Sequence, residues 1–231
     1  MQQYPQTVSQ APADARGAFL ARTYLHLLGA IVAFVGLEAA LFASGAAEKV
    51  AELTLGSGRL GFGVLLLAFI GVGWLGERFA HSRTSVGMQY AGLGIYVVAE
   101  AFIFIPLLYV AAHYAGPSVI PSAAVVTLVL FGGLTATVLI TRQDFSFMRP
   151  FLMFAGFGAM ALIGASLLFG FNLGVFFSFA MVALAGGYIL FTTSNMLHRY
   201  QTDQHVGAAL ALFASVAMMF YYVLRIFMSR R

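Results

Sequence analysis

The sequence predicts an all-α protein, a bundle of seven transmembrane helices with almost no soluble part. Three observations lead there. Of 231 residues, 61% are hydrophobic and only 9% charged, against about 25% charged in an ordinary soluble domain. The apolar residues fall into runs long enough to cross a hydrocarbon layer, which takes about 20 residues per helix. Charged and turn-forming residues gather between those runs. A water-soluble fold could not hide that much apolar surface, and seven spans with short connections use most of the chain. One compact bundle is expected, not several domains.

Residues 1–22 are polar and rich in Gln, Ala and Pro. They lack an apolar core followed by a small-residue cleavage site, so they do not read as a cleavable signal peptide. Their composition predicts a short disordered cytosolic tail, with a partner-recognition segment as the sharper alternative. Residues 23–231 are expected to form a single transmembrane domain. The first span is placed at 23–44, followed by a polar, partly helical loop marked by Glu48, Lys49, Glu52, Gly56 and Gly58. The second span, 60–76, is short. The third covers 86–112, and Gly116, Pro117 and Pro121 separate it from the fourth at 123–140. Residues 150–198 contain no Asp, Glu, Lys or Arg, a stretch too long for one helix. The turn-forming Gly170, Phe171 and Asn172 divide it into a fifth and a sixth span. The seventh is placed at 206–227.

Arg16, Arg22, Arg78, Arg83, Arg142, Arg149 and Arg199 fall on one side of this layout; Lys49, Arg59, Arg230 and Arg231 fall on the other. The excess puts the amino terminus in the cytosol and, with seven spans, the carboxyl terminus outside. A net charge of +4 is too sparse for a nucleic-acid surface and is explained by arginines facing anionic lipid. The absence of cysteine excludes disulfides, thiolate metal sites and cysteine nucleophiles. His26, His81, His113, His198 and His205 show no metal-ligand spacing, and neither HExxH nor GxSxG occurs. His198 and His205 flank a cytosolic loop and are expected to be solvated. Gly71, Gly73 and Gly76 fit GxGxxG but lie in an apolar span, where helix packing explains them better than a dinucleotide. No enzyme and no cofactor are predicted.

A charge near a helix centre costs about 2.5 to 3.5 kcal/mol on insertion scales, so Glu38 in the first span and Glu100 in the third must face the bundle interior or a wet cavity. In the seventh span Ala208, Ala211, Ser215, Met218, Tyr222 and Arg225 recur at helical spacing. That stripe is semi-polar, and Arg225 near its end is a candidate counter-ion for Glu100 or Glu38. A structural ion pair and a path for ions or protons are the two readings of these groups. In the sixth span Ala185, Tyr188, Thr192 and Asn195 share a face, whereas Ala180, Ala183 and Gly187 form a small-residue face suited to close packing.

Two segments carry a family resemblance. Residues 141–148, Thr-Arg-Gln-Asp-Phe-Ser-Phe-Met, resemble the cytosolic connection before the fifth span in the Bax inhibitor-1 family. Residues 187–196, Gly-Tyr-Ile-Leu-Phe-Thr-Thr-Ser-Asn-Met, resemble the end of that family's sixth span, and 208–213 with Leu224 and Arg225 its seventh. The resemblance implies the family's seven-helix fold. It also implies a comparison with the calcium-leak members, in which a pair of aspartates in the last two helices shares a proton and tunes a pore. The matching positions are Thr192 and Ser215. Neither side chain titrates near neutral pH or supplies an anionic ligand, so the resemblance does not carry the dyad over. Residues 190–195 with Ser215 look closer to the bacterial YccA branch, which has Glu where this chain has Thr192. That similarity implies a multi-pass protein of the bacterial inner membrane that modulates the FtsH membrane protease. Two readings therefore leave the sequence. The first is a non-enzymatic regulator of an FtsH-type protease; the alternative is a pH-sensitive leak for Ca2+ or H+ that uses Glu100.

Overall fold

The computed structural model describes residues 7–80, 82 and 86–229. Eight helices fill it, with no strand among the described residues. They are α1 (Ala13–Ala43), α2 (Ala46–Gly56), α3 (Gly58–Ala80), α4 (Val86–Tyr114), α5 (Val119–Thr141), α6 (Arg149–Phe169), α7 (Gly174–His198) and α8 (His205–Ser229). A single 3₁₀ turn at Ser146–Met148 leads into α6. Seven of these are long and apolar enough to cross a membrane; α2, at 11 residues, is not, and forms the partly helical loop expected after the first span. The layout agrees with the spans read from the sequence, and the helices run a few residues further at most ends.

Residues 7–22 depart from the expected disordered tail. Ala13 to Arg22 continue α1, because their Ala, Leu and Arg residues favour helix and Phe19 extends the inward stripe of Thr23, Leu27, Ala30, Phe34 and Glu38. Ahead of the helix, Val8 is fully buried and its amide donates to the Tyr200 carbonyl at 2.9 Å. The Ser9 hydroxyl donates to the His198 carbonyl at 3.3 Å. The half-buried Arg16 and the exposed Arg22 lie on the same segment, which is why it reads as polar. Residues 1–6, His81, Arg83, Arg230 and Arg231 lie outside the described residues.

Helix α8 is the hub: it packs on α1, α4, α5 and α7. The tightest crossing joins α3 to α4. A Cβ on Gly92 would lie 2.5 Å from the Gly76 carbonyl oxygen, so only glycine lets the two backbones meet there. The GxGxxG run is thus a packing surface at Gly76 and, beneath the Tyr96 ring, at Gly73. Gly187 packs closely against the side chain of Leu152 of α6, where an added Cβ would lie 2.8 Å from it, as the small-residue face of α7 predicts.

The two segments that carried the resemblance touch each other. Ser194 of α7 is fully buried, and its hydroxyl accepts from the Phe145 amide at 2.9 Å. Its proton can go to the Gln143 carbonyl at 3.3 Å or to Asp144 Oδ1 at 3.4 Å. Asp144 Oδ1 also accepts from the Ser146 amide at 2.8 Å. That short turn starts α6. The backbone and side-chain hydrogen bonds from Ser146 hold the exposed Asp144 carboxyl below its usual range, aided by His198 and Arg199.

Candidate functional site

Four consecutive residues near the end of α7 face three different surroundings, because a helix turns its side chains through about 100° per residue. Ser194 ties down the 141–148 connection. Thr193 is fully buried and faces the Tyr24 hydroxyl of α1 beside Thr135 of α5. Thr192 and Asn195 face a cavity of about 1100 Å³ lined by α3, α4, α6, α7 and α8.

That cavity collects most of the polar groups singled out in the sequence. Glu100, Thr192, Ser215, Tyr222 and Arg225 all line it. Glu100 is the middle residue of α4 and only 5% exposed. Its polar neighbour is the Tyr96 hydroxyl, one turn earlier on the same helix and directed at the carboxylate. Ser215 spends its hydroxyl proton on the Ala211 carbonyl at 2.8 Å, leaving the oxygen lone pairs for the cavity. On the α6 side the Tyr188 hydroxyl donates to the Leu152 carbonyl at 3.0 Å. The stripe on α8 read from the sequence is the cavity wall from Ala211 to Arg225.

Charge is unevenly distributed along the cavity. At the end where α1 begins stand Glu77, Asn195 and Tyr200; Glu100 is midway; Arg59, Arg225 and the 170–173 turn form the opposite end. Burial first, and the nearby Glu77 carboxylate second, push the Tyr200 phenol up to about 12, so it stays a neutral hydroxyl. Arg225 makes no ion pair with Glu100 or Glu38 among the described residues; its guanidinium lies 5.9 Å from the Tyr222 ring centroid. The Arg59 guanidinium packs against Gly170, which also needs its positive φ of 78° to end α6.

Glu38 lies elsewhere. It is 6% exposed, belongs to the stripe of α1 that meets the core, and neither carboxylate oxygen has a hydrogen-bond partner. It is absent from the cavity wall. His198 and His205, expected to be solvated, are half-buried. The His198 Nδ1 faces the Ser194 carbonyl at 2.9 Å, and the His205 ring lies 5.0 Å from that of His26. No three His, Cys, Asp or Glu converge on a metal-sized site among the described residues.

Sequence reasoning missed Glu77, Tyr96, Arg59 and Tyr200. Ending the second span at Gly76 left Glu77 in a loop, although it lies one turn after the buried Gly73, on the same side of α3. Tyr96 carries a comparable signal, four residues before Glu100.

Comparison with known proteins gives a consistent result. The family model described as inhibitor of apoptosis-promoting Bax1 matches residues 16–231. An uncharacterised protein of Pseudomonas aeruginosa is 30% identical over 177 residues, covering 71% of this chain and 72% of its own. One from Neisseria meningitidis is 27% identical over 222 residues, covering 93% and 92%. The Arabidopsis thaliana protein LIFEGUARD 4 is 31% identical over 149 residues, 61% of this chain and 57% of the relative.

Proposed function

The chain belongs to the Bax inhibitor-1 family of membrane proteins, and from that premise we propose that it is a non-enzymatic cation leak in which Glu100 attracts the ion. The single observation that carries this is the position of Glu100, at mid-helix on the wall of a large cavity and not in an ion pair with Arg225. A structural ion pair would have spent the carboxylate on a guanidinium. Left facing the cavity, it offers hard oxygen beside the Tyr96 hydroxyl, in a space that the Thr192 and Ser215 hydroxyls also line. That chemistry suits Ca2+ or a proton. One carboxylate with neutral hydroxyls binds a divalent ion weakly, and conduction requires binding weak enough to release. The acidic role that the family's calcium-leak members place on the last two helices would here be taken over by α4, across the cavity from Thr192 and Ser215. The protein would sit in a bacterial inner membrane with its amino terminus in the cytosol, as the arginine bias predicts.

Calcium flux into liposomes, measured at several pH values for the wild type and Glu100→Gln, tests the proposal. A large drop in flux, with unchanged reconstitution and thermal stability, is the expected result. Equal flux in both removes Glu100 from the mechanism. Regulation of an FtsH-type protease, the first reading of the sequence, draws on the likeness of residues 190–195 and Ser215 to the YccA branch. Recovery of such a protease in a pull-down from solubilised cells would support it; no enrichment would count against it.

A further inference from the structure

The end of the cavity opposite Glu77 has a different chemistry, which conduction does not use. Arg59, in the first turn of α3, and Arg225, five residues into α8 from its carboxyl end, both line it. Neither has a carboxylate partner among the described residues. Two cations at the rim of one cavity attract an anion, and the half-buried Arg225 most of all, because its charge loses part of its hydration without Coulombic return, whereas Arg59 is exposed. Asn172, in the turn beside them, adds a polar side chain.

Below the arginines the walls are apolar: Phe62 and Leu66 from α3, Met160, Ile163 and Leu167 from α6. Helix α6 packs chiefly on α7 and touches α3 only lightly. Phe157 and Met153 line the cavity while being 72% and 50% exposed on the outer surface of the bundle. The cavity therefore opens sideways, toward acyl chains, between α3 and α6. From Arg225 down to Ser215 the wall of α8 is about 15 Å long, room for an extended hydrocarbon tail. The whole cavity, at about 1100 Å³, slightly exceeds the range of about 300 to 1,000 Å³ typical of small-molecule pockets.

We propose that this half of the cavity binds an anionic single-chain amphiphile, a long-chain carboxylate, with its headgroup between Arg59 and Arg225 and its tail along α3 and α6. The site would be entered from the bilayer and stands whether or not ions cross the protein. Guanidinium groups suit the headgroup because they remain charged at any physiological pH and bind carboxylates through two parallel hydrogen bonds. The carboxylates Glu77 and Glu100, further along the cavity, fix the orientation by repelling the headgroup from the other end.

The test uses the full chain in nanodiscs of neutral phosphatidylcholine and palmitate carrying a diazirine near the tail end. Irradiation should give saturable crosslinks within residues 62–69 and 153–167, displaced by excess palmitate but by neither hexadecanol nor inorganic phosphate. The Arg59→Gln, Arg225→Gln double variant should lose affinity by about tenfold or more. Arg225→Lys, which keeps the charge, should retain part of the binding at unchanged thermal stability. Displacement by phosphate alone would make this a small-anion site and overturn the proposal, as would equal competition by hexadecanol. Undiminished labelling of a stably folded double variant would also overturn it.

Discussion

Helices α6 and α8 have nearly the same mean hydropathy in their most apolar windows, 2.1 and 1.9, yet 11% of the first window is buried in protein and 72% of the second. Hydropathy therefore measures fitness for the membrane and says nothing of which helix is central. Both helices mix small and large apolar residues, so what separates them is the face on which these stand and the polar groups between them. Exposed positions of α6 carry Phe151, Phe154, Phe157, Leu168 and Phe169, large side chains turned to lipid. Helix α8 carries Ala208, Ala209 and Ala217, small enough to bring neighbours close, and keeps a polar stripe for the cavity. Lipid offers no hydrophobic drive for helices to associate, so shape and polar contacts decide which face meets protein.

The contrast is sharpest where backbones touch. Gly92→Ala should destabilise the protein by about 3 kcal/mol or more, since the new methyl meets the backbone of α3 and cannot be relieved by a rotamer change. Gly94→Ala, with nothing within 4 Å, should be tolerated. Thermal aggregation of the two variants in detergent compares them directly, and equal midpoints would refute the close α3 to α4 crossing. Next in size, Leu212→Ala at a fully buried site of α8 should cost about 2 kcal/mol. Leu168→Ala, 81% exposed on α6, should cost under about 0.6 kcal/mol. Reversible unfolding in mixed micelles reads both.

Ser194→Ala should cost about 1 kcal/mol by freeing the Phe145 amide. It should also raise hydrogen exchange in the 143–146 turn without altering the helices. The smallest effect belongs to Asp144. A carboxyl held below its usual range stabilises the folded state above its unfolded value of about 3.9, and that contribution disappears as pH falls through the folded value. Thermal stability of the wild type should therefore drop more steeply with acidification below that value than stability of Asp144→Ala.

Much of this was legible in the sequence. The seven spans were readable because charges and glycine or proline turns punctuate them, and the α8 stripe because helical spacing put Ala211, Ser215, Met218, Tyr222 and Arg225 on one side. The start of α1 was hidden by the half-buried Arg16 and the exposed Arg22, which make a helical segment look like a tail. Glu38 and Glu100 were indistinguishable in sequence, each a lone carboxylate in an apolar run. Only the arrangement of helices puts Glu100 on the cavity wall and encloses Glu38 elsewhere. The separation of Arg225 from both has the same origin: its height along α8 was readable, its neighbours were not.

The protein contains no cysteine, so single introduced thiols report water access without background. Ser215→Cys and Ala211→Cys, on the cavity wall, should react with a small cationic methanethiosulfonate in membranes, whereas Ala209→Cys, fully buried on another face of α8, should not. If the thiol at position 215 reacts no faster than the one at 209, α8 borders no water-accessible cavity, and Glu100 has no aqueous space through which to draw an ion.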